Sequence, residues 1–398
     1  MPAQLNLGFI GGALNSAVGY AHFTASRMDG RFRLAAGCFS RDPKTNAQSA
    51  DRYGVSPEHV HADWGTLLDA ECGNLDAIAI LTPTPTHFPI LEKAMASGIP
   101  VICEKALVAT LAEGQEIERI AQATRSHVTV TYNYTGYPMV RELRRMIREG
   151  ALGRLLHIQV EMPQEGFARV TGNGAPQSPQ AWRLTDGPIP TVSLDLGVHA
   201  HHLVEFLTGQ TALEVACDQR GCGHFPNIVD DVSCIAQYTD GLRVNYWYGK
   251  TALGYRNGLS IRVFGDKASA QWVQALPETL EVAQADGERR TLDRASPGVQ
   301  IACLDRYSRF KAGHPAGFLE AFANLYTDIA DALLARREEK QACRDDEYVF
   351  GPDSAVRGLA FLDAAAQAAR GRRWQPVARP ATFICPDFDC AKSMEVTA

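Results

Sequence analysis

The segment SLDLGVHAHHLVEFLTG sets the carboxylate of Asp195 ahead of three imidazoles, those of His199, His201 and His202. A helix starting near Asp195, capped by Ser193 or Asp195 and stopped at Gly209, places Asp195, His199 and His202 at i, i+4 and i+7 on one face. Leu196, Ala200, Leu203 and Leu207 form the neighbouring apolar stripe, and His201 turns away from the polar face as a structural histidine. Such a set suits proton transfer, because imidazole titrates near neutral pH and an aspartate one turn away can orient it. The run HAHH also suits a divalent metal. No second group of ligands occurs elsewhere in the chain, so proton transfer without a metal is the expectation. A second charged feature, Glu104-Lys105 in PVICEKALV, abruptly ends a short apolar run. Read alone it is a surface pair. At the carboxyl end of a strand in an open sheet, where ligands bind, it becomes a site candidate.

The elements that must position these groups alternate through the first third of the chain. The apolar runs LNLGFI, FRLAAGCF, LDAIAIL, PVICE and HVTVTY are short and bounded by turn residues, and helical-period segments such as PILEKAMASG and LAEGQEIERIAQATR lie between them. This rhythm predicts an α/β fold with an N-terminal Rossmann domain, a doubly wound parallel sheet with helices on both faces. The turn after the first run, GGALNSAVG, has Gly11 and Gly12 for close approach to a pyrophosphate. Asn15 tolerates left-handed backbone, Gly19 lets the helix pack close, and Ala13 stands where a second fingerprint glycine is expected. The reading is a longer variant of a cofactor turn, with Asn15 and Ser16 adding donors and the helix N-terminus facing the anion.

The second run ends in CFSRDP. Ser40 and Arg41 stand where a carboxylate usually holds an adenosine 2′-hydroxyl, and Arg41 can pair with a 2′-phosphate, stack on adenine, or lie solvated on the surface. Asp42 followed by Pro43 reads as a helix cap. NADP is therefore tolerated and NAD stays open. The loop LTPTPTHFP brings Thr82, Thr84, Thr86 and His87 to the carboxyl end of the third strand as contacts to ribose or nicotinamide.

After Tyr134 the pattern changes. The helix MVRELRRMIREG leads to the strand GRLLHIQVEM, then to a Gly-, Pro- and Gln-rich loop from Pro163 to Pro190 that has no periodicity. The segments VSCIAQYT, LRVNYWYG, LSIRVFGD and SAQWVQAL predict a mostly antiparallel sheet in a C-terminal α/β domain, and two long helices follow. The expected division is 1–134, 135–375 and a tail of 376–398, with the late helices free to pack on either half. At 398 residues and 45% hydrophobic composition the chain can bury two cores. A net charge of −6 gives no reason to expect nucleic acid or an anionic membrane as partner. With no signal-like or membrane-spanning run, the expected address is cytoplasmic. The ten cysteines are dispersed; the nearest couples are Cys217 with Cys222 and Cys385 with Cys390, and reduced, mostly buried thiols are expected.

With the glycine turn, TPTPTHFP, EKA for the usual E-K-P, NYTGYP and DLGVH for D-x-G-x-H all in order, the chain resembles the Gfo/Idh/MocA family. The resemblance covers nearly its whole length. It implies a nicotinamide-binding Rossmann domain and a second domain whose large open sheet supports dimers or tetramers. It also implies Lys105, Asp195 and His199 as the catalytic set, acting on a small carbohydrate or cyclitol. In that scheme His199 takes the hydroxyl proton as hydride leaves the same carbon, Lys105 stabilises the alkoxide, and Asp195 orients or relays. Glu104 and Asn133 join the cofactor site. Tyr132, Tyr134, Trp182, Arg183 and His202 are candidate substrate contacts. Departures from the family are Ala106, Ala13, and His202 where many members carry aspartate. Two other functions stay open: a redox-recycling glycosidase acting by transient C3 oxidation, and a non-catalytic nucleotide sensor.

Overall fold

The computed structural model describes residues 4–338 and 347–378. The first sheet has five parallel strands: β1 (Leu5–Gly11), β2 (Phe32–Cys38), β3 (Ala77–Leu81), β4 (Val101–Glu104) and β5 (Val128–Thr131). Their spatial order is β2-β1-β3-β4-β5, so the winding reverses between β1 and β3 and opens a crevice at their carboxyl ends. Every residue of AIAIL in β3 is buried, as a central parallel strand covered on both faces requires. The connecting helices are α1 (Gly19–Met28), α2 (Pro43–Tyr53), α3 (Trp64–Glu71), α4 (His87–Ala96) and α5 (Leu111–Thr124). Asp42 caps α2 through the Thr45 N–H at 2.9 Å with Pro43 in the first turn, and Thr110 and Glu113 form a capping box on α5.

Helix α6 (Pro138–Arg148) leads into β6 (Leu155–Pro163), and α7 (Val198–Thr208) follows the long connection. The second sheet adds β7 (Ala212–Arg220), β8 (Asp231–Tyr238), β9 (Arg243–Gly249), β10 (Ser260–Gly265), β11 (Ala268–Val273), β12 (Leu280–Gln284) and β13 (Arg289–Leu292). Helices α8 (Phe318–Arg337) and α9 (Pro352–Gly371) precede a two-residue strand, β14 (Gln375–Pro376). The nine strands run β13-β12-β11-β10-β6-β9-β8-β7-β14, antiparallel except for β6 beside β9. Pro376 pairs with Glu214, so the sheet continues into the segment expected as tail.

Helix α8 packs back on the first sheet. Phe322, Leu325, Tyr326, Ile329 and Leu333 share one apolar cluster with Phe9, Phe32 and Leu34. Among the seven described cysteines only Cys38, Cys103 and Cys234 are buried, whereas Cys72, Cys222 and Cys303 are exposed. This corrects the expectation of mostly buried thiols: several cysteines sit in surface turns that have no core to enter. All seven are free, and Cys385 and Cys390 lie outside the described residues. Among the described residues no helix is long and apolar enough to cross a membrane.

Candidate active site

Strand β1 delivers its chain into the crevice through two glycines with left-handed backbone, Gly11 at φ 81° and Gly12 at φ 73°. Helix α1 starts so close behind them that a Cβ on Gly19 would stand 2.1 Å from the Gly12 carbonyl oxygen. Tyr53 donates its hydroxyl to that same oxygen at 2.9 Å, fixing the turn from the α2 side. Ser16 Oγ accepts the N–H groups of Val18 and Gly19 at 3.3 Å, so this residue ties down the helix start. From the turn a cleft of about 490 Å³ runs across the ends of the strands. Gly11, Gly12, Ala13, Asn15 and Ser16 form one wall, Ser40 and Arg41 close one end, and Thr82 and Thr84 line the side. Glu104, Lys105, Trp182, Arg183 and Asp195 line the same cleft.

His87 does not face this space. It is buried, with Nε2 2.7 Å from the Thr82 carbonyl and Nδ1 3.1 Å from those of Ala106 and Leu107. Instead of reaching a cofactor, its ring joins the loops after β3 and β4. The peptide bond between Lys105 and Ala106 is cis.

At the end of β4 the two charges of Glu104-Lys105 part. Glu104 accepts from the Thr131 hydroxyl and lies 3.0 Å from His22 Nε2, whose Nδ1 is 2.7 Å from the Tyr326 hydroxyl of α8. Burial alone would raise its carboxyl, but His22, Lys105 and Thr131 outweigh that and hold it below the usual range. Lys105 donates to Asp195 Oδ1 at 2.9 Å and to the Asp195 carbonyl at 2.7 Å. Asp195 is also paired with Arg183 and, through Oδ2 at 2.7 Å, with Lys250. Burial pushes its carboxyl up, yet Lys105, Lys250 and Arg183 together hold it well below the carboxylate range.

Lys250 was not anticipated. Strands β6 and β9 run parallel with Pro163 opposite Gly249, so the next residues, Gln164 and Lys250, emerge side by side, with Lys250 Nζ 3.1 Å from Gln164 Oε1. The available signal was a lysine ending the strand run LRVNYWYG, the same signature that marked Lys105.

The helical reading of SLDLGVHAHH needs correction. Residues Ser193–Gly197 form a π-helical turn ahead of α7, and Ser193 bonds the Tyr248 hydroxyl at 3.0 Å instead of capping. Gly209 does stop the helix, in left-handed conformation. Asp195 makes no hydrogen bond to His199, because its oxygens are taken by three cations. The three imidazoles face three different walls. His199 meets the Tyr134 ring edge-to-face at 4.7 Å, and His201 stacks on Phe361 at 4.5 Å. His202 lies flat on Tyr132 at 3.6 Å, with Phe350 edge-on at 4.4 Å. Among the described residues no group of three or more His, Cys, Asp or Glu is placed to hold a metal ion.

Tyr132 and His202, expected at the substrate, are packed against each other, because every residue of α7 except Glu205 and Thr208 is buried and none of its histidines lines the cleft. Tyr134 is also buried; its hydroxyl accepts from Asn257 Nδ2 at 2.9 Å. Burial, followed by the Lys105 charge, lowers His199 to about 3, so its ring is neutral. His199 Nδ1 and Asn133 Nδ2 are buried without a partner. Native structures leave few such atoms, and a bound ligand is one way of satisfying them.

Comparison with known proteins identifies the two halves of the fold. Residues 5–132 match the oxidoreductase family with NAD-binding Rossmann fold, and residues 140–271 match the GFO/IDH/MocA C-terminal domain. An oxidoreductase from Sinorhizobium meliloti is 31% identical, covering 94% of this chain and 99% of its own, with a TM-score of 0.80. The chain belongs to the Gfo/Idh/MocA oxidoreductase family. Its parallel five-stranded domain is the NAD-binding Rossmann half of that family, and the nine-stranded sheet belongs to the other half. A second relative is an inositol dehydrogenase homologue from Azotobacter vinelandii, solved with NADH and myo-inositol. It is 28% identical over 94% of this chain and 98% of its own, with a TM-score of 0.84. The uncharacterized oxidoreductase YfiI of Bacillus subtilis is 28% identical over 380 residues, 93% of this chain and 96% of its own.

Proposed function

We propose that the protein is an NAD(P)-dependent dehydrogenase that moves hydride between a hydroxyl-bearing carbon of a sugar, sugar derivative or cyclitol and a nicotinamide. The observation that carries this reading is the Lys105 to Asp195 contact in the same cleft as the glycine turn. The cleft fits a dinucleotide: at Gly11 and Gly12 a Cβ would collide with Leu81 and Thr82, so only glycines let the turn run this close to β3 beside the cleft, and the positive end of α1 favours an anion. Ser40 and Arg41 would hold the adenosine end. Asp42 is turned to the α2 cap and does not line the cleft beside Arg41, which favours acceptance of either NAD or NADP. The nicotinamide supplies the hydride acceptor or donor.

The chain's own residues do the rest. The Lys105 ammonium donates a hydrogen bond to the reacting oxygen and stabilises the charge that develops there. His199 does not itself line the cleft; neutral and with its Nδ1 unclaimed, it takes the hydroxyl proton in this scheme from a substrate that reaches past Lys105. Asp195 holds Lys105 in place through its carboxylate and its carbonyl. The relative bound to myo-inositol supports a polyhydroxylated ring as the substrate class. We also propose self-association through the open face of the nine-stranded sheet, where Ile235 and Phe264 are exposed; light scattering would test it.

The deciding experiment is a panel of sugars, glycosides and cyclitols with NAD and with NADP, followed by nicotinamide absorbance and product analysis. Accumulation of reduced nicotinamide that Lys105→Ala nearly abolishes, with cofactor binding retained, is the expected result. Aglycone release with no net reduction would replace this reading by redox-recycling glycoside cleavage, and binding without turnover would replace it by a sensor.

A further inference from the structure

Three cationic side chains converge on one carboxylate at the end of the cleft away from Arg41. Lys105, Lys250 and Arg183 all contact Asp195. The other carboxylate there, Glu104, is hydrogen-bonded to His22 and Thr131 and touches neither Lys250 nor Arg183. Three cations therefore face two carboxylates in a partly desolvated site, where unmatched charge is costly.

The excess has a recognisable shape. Lys105 and Lys250 are each held twice, Lys105 by the Asp195 carboxylate and carbonyl and Lys250 by Asp195 and Gln164. Arg183 is not so held. One nitrogen, Nη1, contacts Asp195, and its guanidinium lies 4.4 Å from the Trp182 ring centroid. Among the described residues its Nε and Nη2 have no protein acceptor, although the side chain lines the cleft. A planar guanidinium with two unused donors, braced by an aromatic ring, is built for bidentate pairing with a carboxylate. It sits in a short turn, Ala181–Leu184, within the long connection between β6 and the π-turn, so the chain brings this group to the cleft independently of the sheet.

We infer that the substrate carries a carboxylate, as a sugar acid does, and that Arg183 is the residue that selects it. The inference rests on the dehydrogenase reading for the location of the substrate, but it makes a separate statement about charge. If the cations served only the developing oxyanion, a neutral sugar and its acid would be handled alike.

The test uses the full chain loaded with NADH or NADPH and matched pairs: glucuronate against glucose, galacturonate against galactose, gluconate against glucitol, with myo-inositol as a further neutral ligand. Calorimetry gives affinity, and turnover is followed in parallel with oxidised cofactor. At least one acid should bind about tenfold or more tighter than its neutral partner, with a preference that shrinks as salt is added. Arg183→Gln should remove most of that preference, through Kd and KM for the acid, so that the acid loses its advantage over its neutral partner. Neutral ligands bound as well as or better than every acid would overturn the inference, as would Arg183→Gln weakening both members of a pair alike. Acid-selective binding without hydride transfer would leave it standing and remove the dehydrogenase reading. Hydride transfer from neutral sugars with no acid preference would do the reverse.

Discussion

Arg141 and Asp195 are both charged groups taken into the interior, and they are surrounded very differently. Arg141 on α6 donates Nε to the Thr135 carbonyl at 2.8 Å, Nη1 to the Tyr307 hydroxyl at 2.7 Å and Nη2 to Asp328 at 2.5 Å. Asp328 in turn takes Arg306 on its other oxygen. Next to it, Glu142 accepts three consecutive backbone N–H groups from Gln300, Ile301 and Ala302. Each polar nitrogen of Arg141 has a protein partner, and the cluster bolts α6 to α8 and to the segment after β13. Around Asp195 the opposite holds: the cations crowd one acid, Arg183 keeps unused donors, and His199 Nδ1 and Asn133 Nδ2 are buried and unpaired. A charge cluster that satisfies itself is architecture; one that leaves polar atoms over is waiting for something else to bind.

The largest effect expected from breaking this contrast is on turnover at the open cluster. Lys105→Met should lower kcat by about a hundred- to a thousandfold, the usual loss when one donor to a developing oxyanion is removed. Its melting temperature should stay near wild type, because Lys250 and Arg183 still neutralise Asp195. A Lys105→Met protein with unaltered kcat would place the chemistry elsewhere. The closed cluster should show the reverse: Arg141→Met leaves buried Asp328 with Arg306 alone and takes the partner from the Thr135 carbonyl and the Tyr307 hydroxyl, and should cost about 3–5 kcal/mol of stability, read from urea unfolding. Should that variant be as stable as wild type, the supposed bolt holds nothing.

Acid sharpens the contrast further. Burial lowers His127 to about 4 and His199 and His201 to about 3, against an ordinary value of 6.5. Between those limits the unfolded chain binds more protons than the folded one. Stability is therefore complete above pH 6.5 and is lost progressively as pH falls toward 3, visible as a falling melting temperature. A melting temperature that is flat or rises from pH 6.5 to 4.5 would contradict the neutral, buried state of these rings. The smallest effect should come from His202→Phe. Flat between Tyr132 and the edge of Phe350, this ring is packing, and the swap should cost less than about 1.5 kcal/mol with KM unchanged. A large KM change there would restore His202 as a substrate contact.

What was legible in the sequence was local. Gly11 and Gly12 after a strand, Glu104-Lys105 at a strand end and the five alternating strands each depend on neighbours a few residues away. Lys250 was not legible because its place depends on β6 running parallel to β9, a long-range choice that no periodicity records. The proposed polar face of Asp195, His199 and His202 failed for a related reason. One π-turn shifts the phase ahead of α7, and burial of most of that helix gives its histidines packing partners that only the fold supplies. Strands β7, β12 and β13 went unremarked because charged residues interrupt their apolar alternation, as in LEVAQ and RRTL.

Helix α8 carries one more consequence. The Tyr326 hydroxyl from this late helix meets His22, which meets Glu104, and its apolar side roofs β1 and β2. During synthesis the nucleotide-binding half leaves the ribosome long before that roof exists, with Phe9 and Phe32 lacking part of their cover. The amino-terminal half cannot mature as it emerges, and a chain truncated ahead of Phe318 should accumulate as aggregate, not as a smaller working domain.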